Sequence, residues 1–338
     1  MPPTCRPTTS TAGRRSCSCP ARSWSAGLAG GRVPVLLGPT AVGKTAVALA
    51  LTAYWPVEII SADSRQIYRR LDIGTAKPTR KERARAPHHG VDLVDPGVRY
   101  SAGRFARDAT GWLADIRERA KSPMIVGGTG LYVRALAEGL FAEPTLDPAR
   151  RRSLDAWTAR LEPIELLRWA ARLDPGFRGG GRQRAARAIE VALLSGRPLS
   201  YWQQAARSQG SFEPWYIVLT VPRPVLHQRI ARRAQEMVRR GVIEEVAAVL
   251  AEGHPANAPG LDGIGIREAV EYLHGSRPRD SVAEAITIGT RQYAKRQQTW
   301  FRHQLTGPVI MLDATRSPEK LAAEIVQFWD RTLSHSPP

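Results

Sequence analysis

The sequence predicts an α/β protein in which a parallel sheet is covered by helices on both faces and carries a helical insertion. Three observations support this fold class: a glycine-rich loop after the first apolar run, further apolar runs that alternate with helical stretches, and a long internal span without a strand pattern. Parallel strands need long crossover connections, and helices placed between the strands supply them.

The first strand and the loop that follows it predict a phosphate site. Residues 33–37 are a short apolar run, and residues 46–54 have the pattern of a helix. Between them the motif Gly-x-x-x-x-Gly-Lys-Thr is complete, with the residues Gly38, Pro39, Thr40, Ala41, Val42, Gly43, Lys44 and Thr45. This order of elements directs backbone N–H groups at an anion, and the Thr45 hydroxyl can bind Mg²⁺. The motif therefore predicts a P-loop NTPase-like core that binds a di- or triphosphate, without specifying which one.

The remaining elements fit such a core. Further strand patterns occur at residues 57–63, 124–126, 215–221 and 309–312. Residues 102–120 have the pattern of a helix, whereas residues 140–212 contain only arginine-rich helical pieces. We therefore predict an α/β core formed by residues 31–139 and 213–338, with a helical insertion domain at residues 140–212. Residues 1–30 are rich in Pro, Ser, Thr, Gly and Arg, and we expect a disordered N-terminal extension there.

The composition indicates a polyanionic partner. Lys and Arg number 49 against 31 acidic residues, a formal net charge of +18. This excess suits nucleic acid, although scattered surface arginines would also produce it. No apolar run approaches the ~20 residues of a membrane span, and we expect no membrane partner. All three cysteines lie within the first 19 residues, which favours a cytoplasmic protein whose folded part has neither a disulfide nor a cysteine metal site.

Two polar groups follow strands at the edge where open α/β sheets bind ligands. Asp63 ends the second strand pattern, and its residue type allows a Mg²⁺ ligand, a general base or a helix cap. The turn Gly127-Gly128-Thr129 ends the third, where Thr129 can cap the next helix or place its hydroxyl near bound phosphates.

The stretch 226–250 predicts one helix with a basic residue beside its buried stripe. Leu226, Ile230 and Met237 share this stripe, and Arg233 falls at its edge. A guanidinium in such a place needs an anionic partner, because an unpaired buried charge is costly. A structural salt bridge and a clamp on a diphosphate both satisfy that need.

The stretch 290–302 is also helical in pattern and combines basic with aromatic residues. Arg291, Lys295 and Arg302 align along it, with Tyr293, Trp300 and Phe301 interleaved. Such a surface suits RNA, which is bound by phosphate contacts and base stacking. An ordinary amphipathic helix with a solvated basic face would have the same pattern.

Two consecutive motifs, Asp-Ser-Arg-Gln-Ile-Tyr at residues 63–68 and Asp-Ile-Gly-Thr-Ala-Lys-Pro at residues 72–78, resemble the tRNA dimethylallyltransferase family, also called tRNA isopentenyltransferases. These motifs are far more specific than the phosphate loop. The resemblance extends over about residues 33–313 and includes, in order, residues 38–45, 127–132, 183–190, 227–233, 263–268 and 290–302.

The resemblance implies transfer of a dimethylallyl group from dimethylallyl diphosphate to N6 of the adenosine just 3′ of the anticodon. It makes Asp63 the general base, with Thr129 beside the reacting groups. Thr40, Lys44, Thr45 and Arg233 then stabilise the leaving diphosphate with Mg²⁺, for which Thr45 is the implied protein ligand. The partner is the tRNA anticodon stem-loop, bound by a protein that we expect to be a monomer.

The tRNA contacts implied by the resemblance lie in five segments. They are Asp63, Ser64, Arg65 and Gln66; Arg151; Gln183, Arg184 and Arg187; the segment Asp262–Arg267, including Arg267; and the segment Lys295–Arg302, including Lys295, Arg296, Trp300 and Arg302. Two positions depart from the family pattern. Gly179-Gly180-Gly181 stands where polar residues are usual, and Ile266 stands where a tyrosine is usual.

Three other functions are compatible with a phosphate loop: a small-molecule kinase that uses ATP, a prenyltransferase for free adenine nucleotides, and a non-catalytic RNA-binding nucleotide switch. The net charge of +18 and the basic aromatic helix favour an RNA substrate over the first two. The presence of Asp63, Lys44 and Arg233 argues against the third.

Overall fold

A computed structural model describes residues 31–139, 146–205, 210 and 212–334 of the chain. The N-terminal extension expected at residues 1–30 lies outside these residues. Within the described part of the chain, no helix combines the length and apolarity that crossing a membrane would require.

The core is a parallel sheet, confirming the predicted fold class. In the described residues it has six strands: β1 (Arg32–Leu37), β2 (Val57–Ala62), β3 (His88–His89), β4 (Ser122–Gly127), β5 (Glu213–Thr220) and β6 (Val309–Asp313). Their spatial order is β3-β2-β4-β1-β5-β6, with every pair of neighbours parallel. β1 lies between β4 and β5. The crossover after β1 leads to β2 on one side of the sheet, whereas the crossover after β4 leads to β5 on the other side. The loop after β1 therefore lies at the switch point where such sheets bind ligands.

Helices connect the strands and cover both faces of the sheet. In chain order they are α1 (Lys44–Leu51), α2 (Arg80–Arg85), α3 (Ala102–Glu118), α4 (Gly130–Ala137), α5 (Pro148–Arg160), α6 (Pro163–Leu173), α7 (Arg182–Ser195), α8 (Leu199–Ala205), α9 (Arg223–Arg239), α10 (Val242–Ala251), α11 (Ile266–Leu273), α12 (Val282–Gln304) and α13 (Pro318–Ser334). Two short 3₁₀ turns, Pro259–Asp262 and Arg279–Ser281, precede α11 and α12.

Two apolar cores lie on opposite faces of the sheet. One packs α3, α4, α10 and α11 against the strands, with Phe105 stacked on Tyr132 at 4.3 Å between ring centroids. The other packs α1 and α13 against the opposite face. The strand residues are buried on both sides, as expected for a parallel sheet between helical layers.

The helices between β4 and β5 have a small apolar core of their own. Leu166 and Ala170 of α6 pack against Ala185, Ala188 and Ile189 of α7. This packing is compatible with the insertion domain predicted at residues 140–212, which we retain as a proposed unit.

The single helix predicted at residues 226–250 is wrong, because the chain forms α9 and α10 there. Gly241 separates them with a φ of 96°, a left-handed conformation that residues with a side chain rarely adopt. The buried stripe of Leu226, Ile230 and Met237 is present on α9. Beyond Gly241, α10 continues with a new apolar face rather than extending that stripe.

Trp329 should be a principal source of stability on the α13 face. Its side chain is 0 % exposed, and its ring lies 5.0 Å from Trp215 and 6.0 Å from Trp55 between centroids. Removing a large buried aromatic leaves a cavity, so Trp329→Ala should lower the free energy of unfolding by about 3–5 kcal/mol. Urea denaturation measures this loss. Met311→Ala, at a position 67 % exposed on β6, is the control and should change it by less than about 0.5 kcal/mol. Similar losses in both variants would contradict the assignment.

Candidate active site

The side chain of Lys44 hydrogen-bonds across the phosphate loop and fixes its conformation. The Lys44 Nζ donates to the carbonyl oxygens of Gly38 at 2.8 Å and Pro39 at 2.9 Å. Gly38 has a φ of 154°, and a Cβ there would lie 2.8 Å from the Leu219 carbonyl oxygen, so only glycine fits this close approach to β5. α1 begins at Lys44 and has no acidic residue in its first turn. The helix N-terminus therefore directs its positive end at the loop.

Two cations with lowered pKa values lie at this edge of the sheet. Burial lowers the pKa of Lys44 to about 8; the Asp63 carboxylate acts in the opposite direction and Arg233 adds to the lowering. Burial also lowers the pKa of Arg233, again opposed by Asp63. Burial removes part of the hydration that stabilises each charge, and a bound anion would stabilise the charged form again.

Arg233 and Arg229, one turn apart on α9, have different surroundings. Arg229 donates to the Val42 and Ala314 carbonyl oxygens, both at 3.0 Å, and so secures the back of the phosphate loop. Among the described residues, Arg233 has neither an ion pair nor a hydrogen bond. The structural salt bridge considered for Arg233 therefore does not form with the described part of the chain, and its guanidinium stays available to a ligand.

Asp63 lies in a tight turn after β2 rather than at a helix terminus. Its Oδ1 accepts from the Arg65 backbone N–H at 2.9 Å, and no α-helix begins in the turn that follows. The helix-cap interpretation of Asp63 is therefore wrong. Within the described chain, Asp63 Oδ2 accepts no hydrogen bond, which leaves one carboxylate oxygen for a substrate.

Thr129 connects two strand ends. It directly precedes α4, but its hydroxyl does not cap that helix; it accepts from the Ser64 backbone N–H at 3.1 Å. The Thr129 N–H donates to the Ala62 carbonyl oxygen at 3.1 Å. Thr129 is thereby fixed beside the turn that carries Asp63. At Tyr293 of α12, burial, helped by the nearby Asp63 carboxylate, raises the pKa to about 12, so the Tyr293 hydroxyl stays protonated.

A cavity of about 50 Å³ joins the phosphate loop to the Asp63 turn. Its polar lining comprises Lys44, Thr45, Ser61, Asp63, Gln66 and His88. The described residues hold no cluster of three or more His, Cys, Asp or Glu that could bind a metal by itself. Thr45 and Asp63 are nevertheless hard oxygen donors on one cavity. Mg²⁺ commonly binds through one or two such groups plus substrate phosphates and water, so these residues fit that ion.

The loop formed by the motif at residues 72–78 supports the Asp63 turn. This loop is held by Glu245, a partner that the sequence did not indicate. The Glu245 carboxylate of α10 accepts three backbone N–H groups, from Asp72 and Ile73 at 2.7 Å and from Gly74 at 2.8 Å. The loop in turn offers the Ala76 carbonyl oxygen to Gln66 Nε2 at 3.2 Å. The motif is therefore a scaffold that orients Gln66 beside Asp63.

A wide groove of about 830 Å³ runs along the exposed side of α12. It is lined by residues of α4, α7 and α12: Leu131, Arg134, Arg184, Gln292, Lys295, Arg296, Thr299, Trp300, His303 and Gln304. Four of the predicted tRNA contacts, Arg184, Lys295, Arg296 and Trp300, are thus brought together. Phe301, by contrast, is buried in the core, so the interpretation of Phe301 as a stacking residue is wrong.

The other predicted contacts are not part of the groove lining and have different neighbours. Arg151 and Arg187 both pair with the buried carboxylate of Glu190, which ties α5 to α7. Arg267 pairs with Glu268 at 2.6 Å, and Arg65 contacts Asp262 at 3.4 Å. The structure leaves Gln183 and Arg302 exposed.

The two departures from the family pattern have local explanations. Ile266 is 0 % exposed, and a Cβ on Gly74 would lie 2.6 Å from its Cγ1, so Ile266 packs in the core beside the motif at 72–78. Gly179 and Gly180 have φ values of 82° and 144°, and the chain then enters α7 at Arg182.

Comparisons with known proteins point to one family. The family model described as IPP transferase matches residues 66–304, and the one described as Isopentenyl transferase matches residues 31–86. A tRNA dimethylallyltransferase of Geobacter metallireducens is 44 % identical over 279 residues, 80 % of this chain and 89 % of that protein. One of Burkholderia ambifaria is 43 % identical over 281 residues, 80 % and 86 % of the two chains.

A solved structure shares the fold over most of its length. It is the full-length tRNA isopentenylpyrophosphate transferase of Bacillus halodurans, with a TM-score of 0.67, 32 % identity, and coverage of 90 % of this chain and 97 % of that one. Together with the family-model match over residues 66–304, these similarities show that the chain belongs to the IPP transferase family of tRNA dimethylallyltransferases.

Proposed function

We propose that this chain transfers a dimethylallyl group from dimethylallyl diphosphate to N6 of the adenosine 3′-adjacent to the anticodon in tRNA. The observation that carries this proposal is the shared cavity of Lys44, Thr45 and Asp63, with a basic groove on the neighbouring helix. A phosphate binder and a proton acceptor thus meet at one edge of the sheet. That combination suits transfer from a diphosphate to an amine.

The phosphate loop holds the leaving diphosphate. During transfer the N6 nitrogen bonds to C1 of the dimethylallyl group, and the C1–O bond breaks with its electron pair passing to the diphosphate. Negative charge on that oxygen therefore grows, and preformed cations act best there. Lys44 and Arg233 are placed for this role because burial disfavours both cations until an anion binds. Thr40 and Thr45 belong to the same loop.

Asp63 takes the proton that N6 loses. Its Oδ1 is held by the Arg65 N–H, so the carboxylate cannot rotate freely and its other oxygen is directed by the turn. Thr129, held by the Ser64 backbone N–H, borders the place where donor and acceptor meet. Mg²⁺, held by Thr45 with Asp63 close by, would neutralise diphosphate charge.

The groove along α12 binds the anticodon stem-loop, with the helices of residues 146–205 beside it. Arg184, Lys295 and Arg296 supply phosphate contacts, and Trp300 offers a ring for a base. The adenosine must leave its stack to reach Asp63. We also propose that the enzyme is a monomer, and its tRNA substrate supports a cytoplasmic location.

Single-turnover assays test the function directly. Purified protein is mixed with labelled dimethylallyl diphosphate or labelled ATP, in each case with unmodified tRNA or with free AMP. Product is expected only with dimethylallyl diphosphate and tRNA together. Transfer of the ATP phosphate would indicate a kinase, and binding of both ligands without product would indicate a nucleotide switch.

Asp63→Asn should slow transfer while both substrates still bind. An amide keeps the size of the side chain but cannot accept the N6 proton, and loss of a general base costs roughly 10²–10⁴-fold in rate. Single-turnover rates at saturating substrates measure this change. Asp280→Asn, at an exposed position in the 3₁₀ turn before α12, is the control and should keep the parent rate within about threefold. A parent-like rate in Asp63→Asn would remove Asp63 from the role of base.

Affinity for inorganic diphosphate should fall as pH rises above about 8, because Lys44 then loses its proton. A bound anion favours protonated lysine and raises its pKa, so the contribution of Lys44 is complete below its free-protein pKa and declines as pH rises from there through the higher pKa of the bound state. Titration calorimetry from about pH 6.5 to pH 9.5 measures the affinity. The ratio of parent to Lys44→Met affinities cancels the ionisation of diphosphate itself and should decline above pH 8. A constant ratio would contradict the assignment.

Binding of tRNA should weaken steeply with salt, with a log–log slope of about −0.7 to −0.9 per neutralised phosphate. Arg184→Ala with Lys295→Ala should reduce the slope by about two such steps, because both residues line the groove. Filter binding at several salt concentrations gives the slope. Lys320→Ala with Arg316→Ala, which removes the same charge at the start of α13 and in the turn before it, should leave the slope unchanged. A parent slope near zero would contradict an RNA substrate.

A further inference from the structure

Gln297 differs from its neighbours on α12. Lys295, Arg296 and Thr299 are exposed along the groove, whereas Gln297 is 5 % exposed and lies on the opposite side of the helix, between Ala294 and Phe301. The family resemblance places residues 295–302 together at the tRNA. The geometry separates Gln297 from that set.

Both ends of the Gln297 amide are used at once. Its Oε1 accepts from the Thr40 backbone N–H of the phosphate loop at 2.9 Å. Its Nε2 donates to the Gly128 carbonyl oxygen at 2.9 Å. Among the described residues, it is the one side chain that is hydrogen-bonded to both segments. It therefore joins the loop after β1 to the turn after β4.

The Gln297 amide packs directly against the backbone of Gly128. A Cβ at Gly128 would lie 2.2 Å from Gln297 Nε2, so any larger residue would displace the amide. The next residue is Thr129, which contacts the turn of Asp63. One bridge thus runs from the phosphate loop through Gln297 and Gly128 to Thr129.

The bridge requires an amide. Thr40 needs an acceptor, Gly128 needs a donor, and an uncharged carboxamide supplies both. An ionised glutamate would satisfy Thr40 but direct a second anionic oxygen at the Gly128 carbonyl oxygen. A protonated glutamic acid would supply both groups again.

We propose that Gln297 is a positioning residue for the donor site, holding the phosphate loop at a fixed spacing from Thr129 and Asp63. It contacts neither tRNA nor the reacting atoms. Because it belongs to the helix that lines the groove, it also connects tRNA contacts on one side of α12 with the diphosphate site on the other. The proposal rests on the proposed function for its rate readout only, because diphosphate binding tests it separately.

Gln297→Glu is the decisive variant. Near pH 8 it should lower kcat/KM for dimethylallyl diphosphate by about 10–100-fold, since small misplacements of reacting groups have effects of this size. Its Kd for tRNA should stay within about twofold of the parent value. Burial and the facing carbonyl should raise the pKa of the new carboxyl group. The activity relative to the parent should therefore recover as pH falls to about 6 and disappear again on return to pH 8.

Two further variants separate positioning from other effects. Gln292→Glu, exposed on the groove side of the same helix, should weaken tRNA binding and leave the affinity for diphosphate unchanged. Gly128→Ala should reproduce the donor defect of Gln297→Glu although Gln297 is intact. Melting temperatures of all variants at both pH values show that each is folded.

Three results would overturn the proposal: parent-like donor kinetics in Gln297→Glu, a defect confined to tRNA affinity, or a defect that does not respond to pH. If the parent itself makes no product, the proposed function fails and the positioning role is decided by inorganic diphosphate. In that case, equal diphosphate affinities of the parent and Gln297→Glu at pH 8 would overturn it, and a weakened, pH-reversible affinity would support it.

Discussion

The carboxyl edge of the sheet is organised by an electrostatic constraint: Lys44 and Arg233 are both partly removed from water, with Asp63 as the carboxylate that offsets them. Other arginines have partners within the chain: Arg229 donates to two carbonyl oxygens, and Arg151 and Arg187 pair with Glu190. Arg233 has no such partner among the described residues, so its positive charge stays available where a diphosphate leaves. Stabilisation is then largest in the state with the most negative charge on that group.

Contacts to the backbone hold the charged residues of the site in fixed positions. Turns after β1, β2 and β4 hold Lys44, Asp63 and Thr129, and parallel strands bring those turns to one edge. Glu245 fixes the loop behind Gln66 through three N–H groups, and Arg229 fixes the back of the phosphate loop. None of these supports carries chemistry. They limit the motion of the residues that do, as catalysis by preformed groups requires.

Local patterns were sufficient for much of this arrangement. The phosphate loop, five strands and the basic stripe of α12 depend on residues adjacent in sequence, and all were predicted from it. β3 was missed because two residues, His88 and His89, are too few to show a period. The break at Gly241 was missed because apolar residues continue beyond it. Glu245 and Gln297 act on segments about 170 and 257 residues away, and no local pattern reports such contacts.

The continuous helix α12 has a consequence for how this chain can vary in length. Its 23 residues present Gln297 to the sheet edge and Lys295, Thr299 and Trp300 to the groove, all at fixed angles around one axis. Inserting or deleting one residue directly after Gln297 would rotate Thr299 and Trp300 by about 100° relative to Gln297 and Lys295. Because both sets of side chains must keep their directions, α12 should not tolerate a change in residue count between them. Insertions and deletions should instead occur in the loops between helices, where no two sets of side chains need a fixed angle to each other.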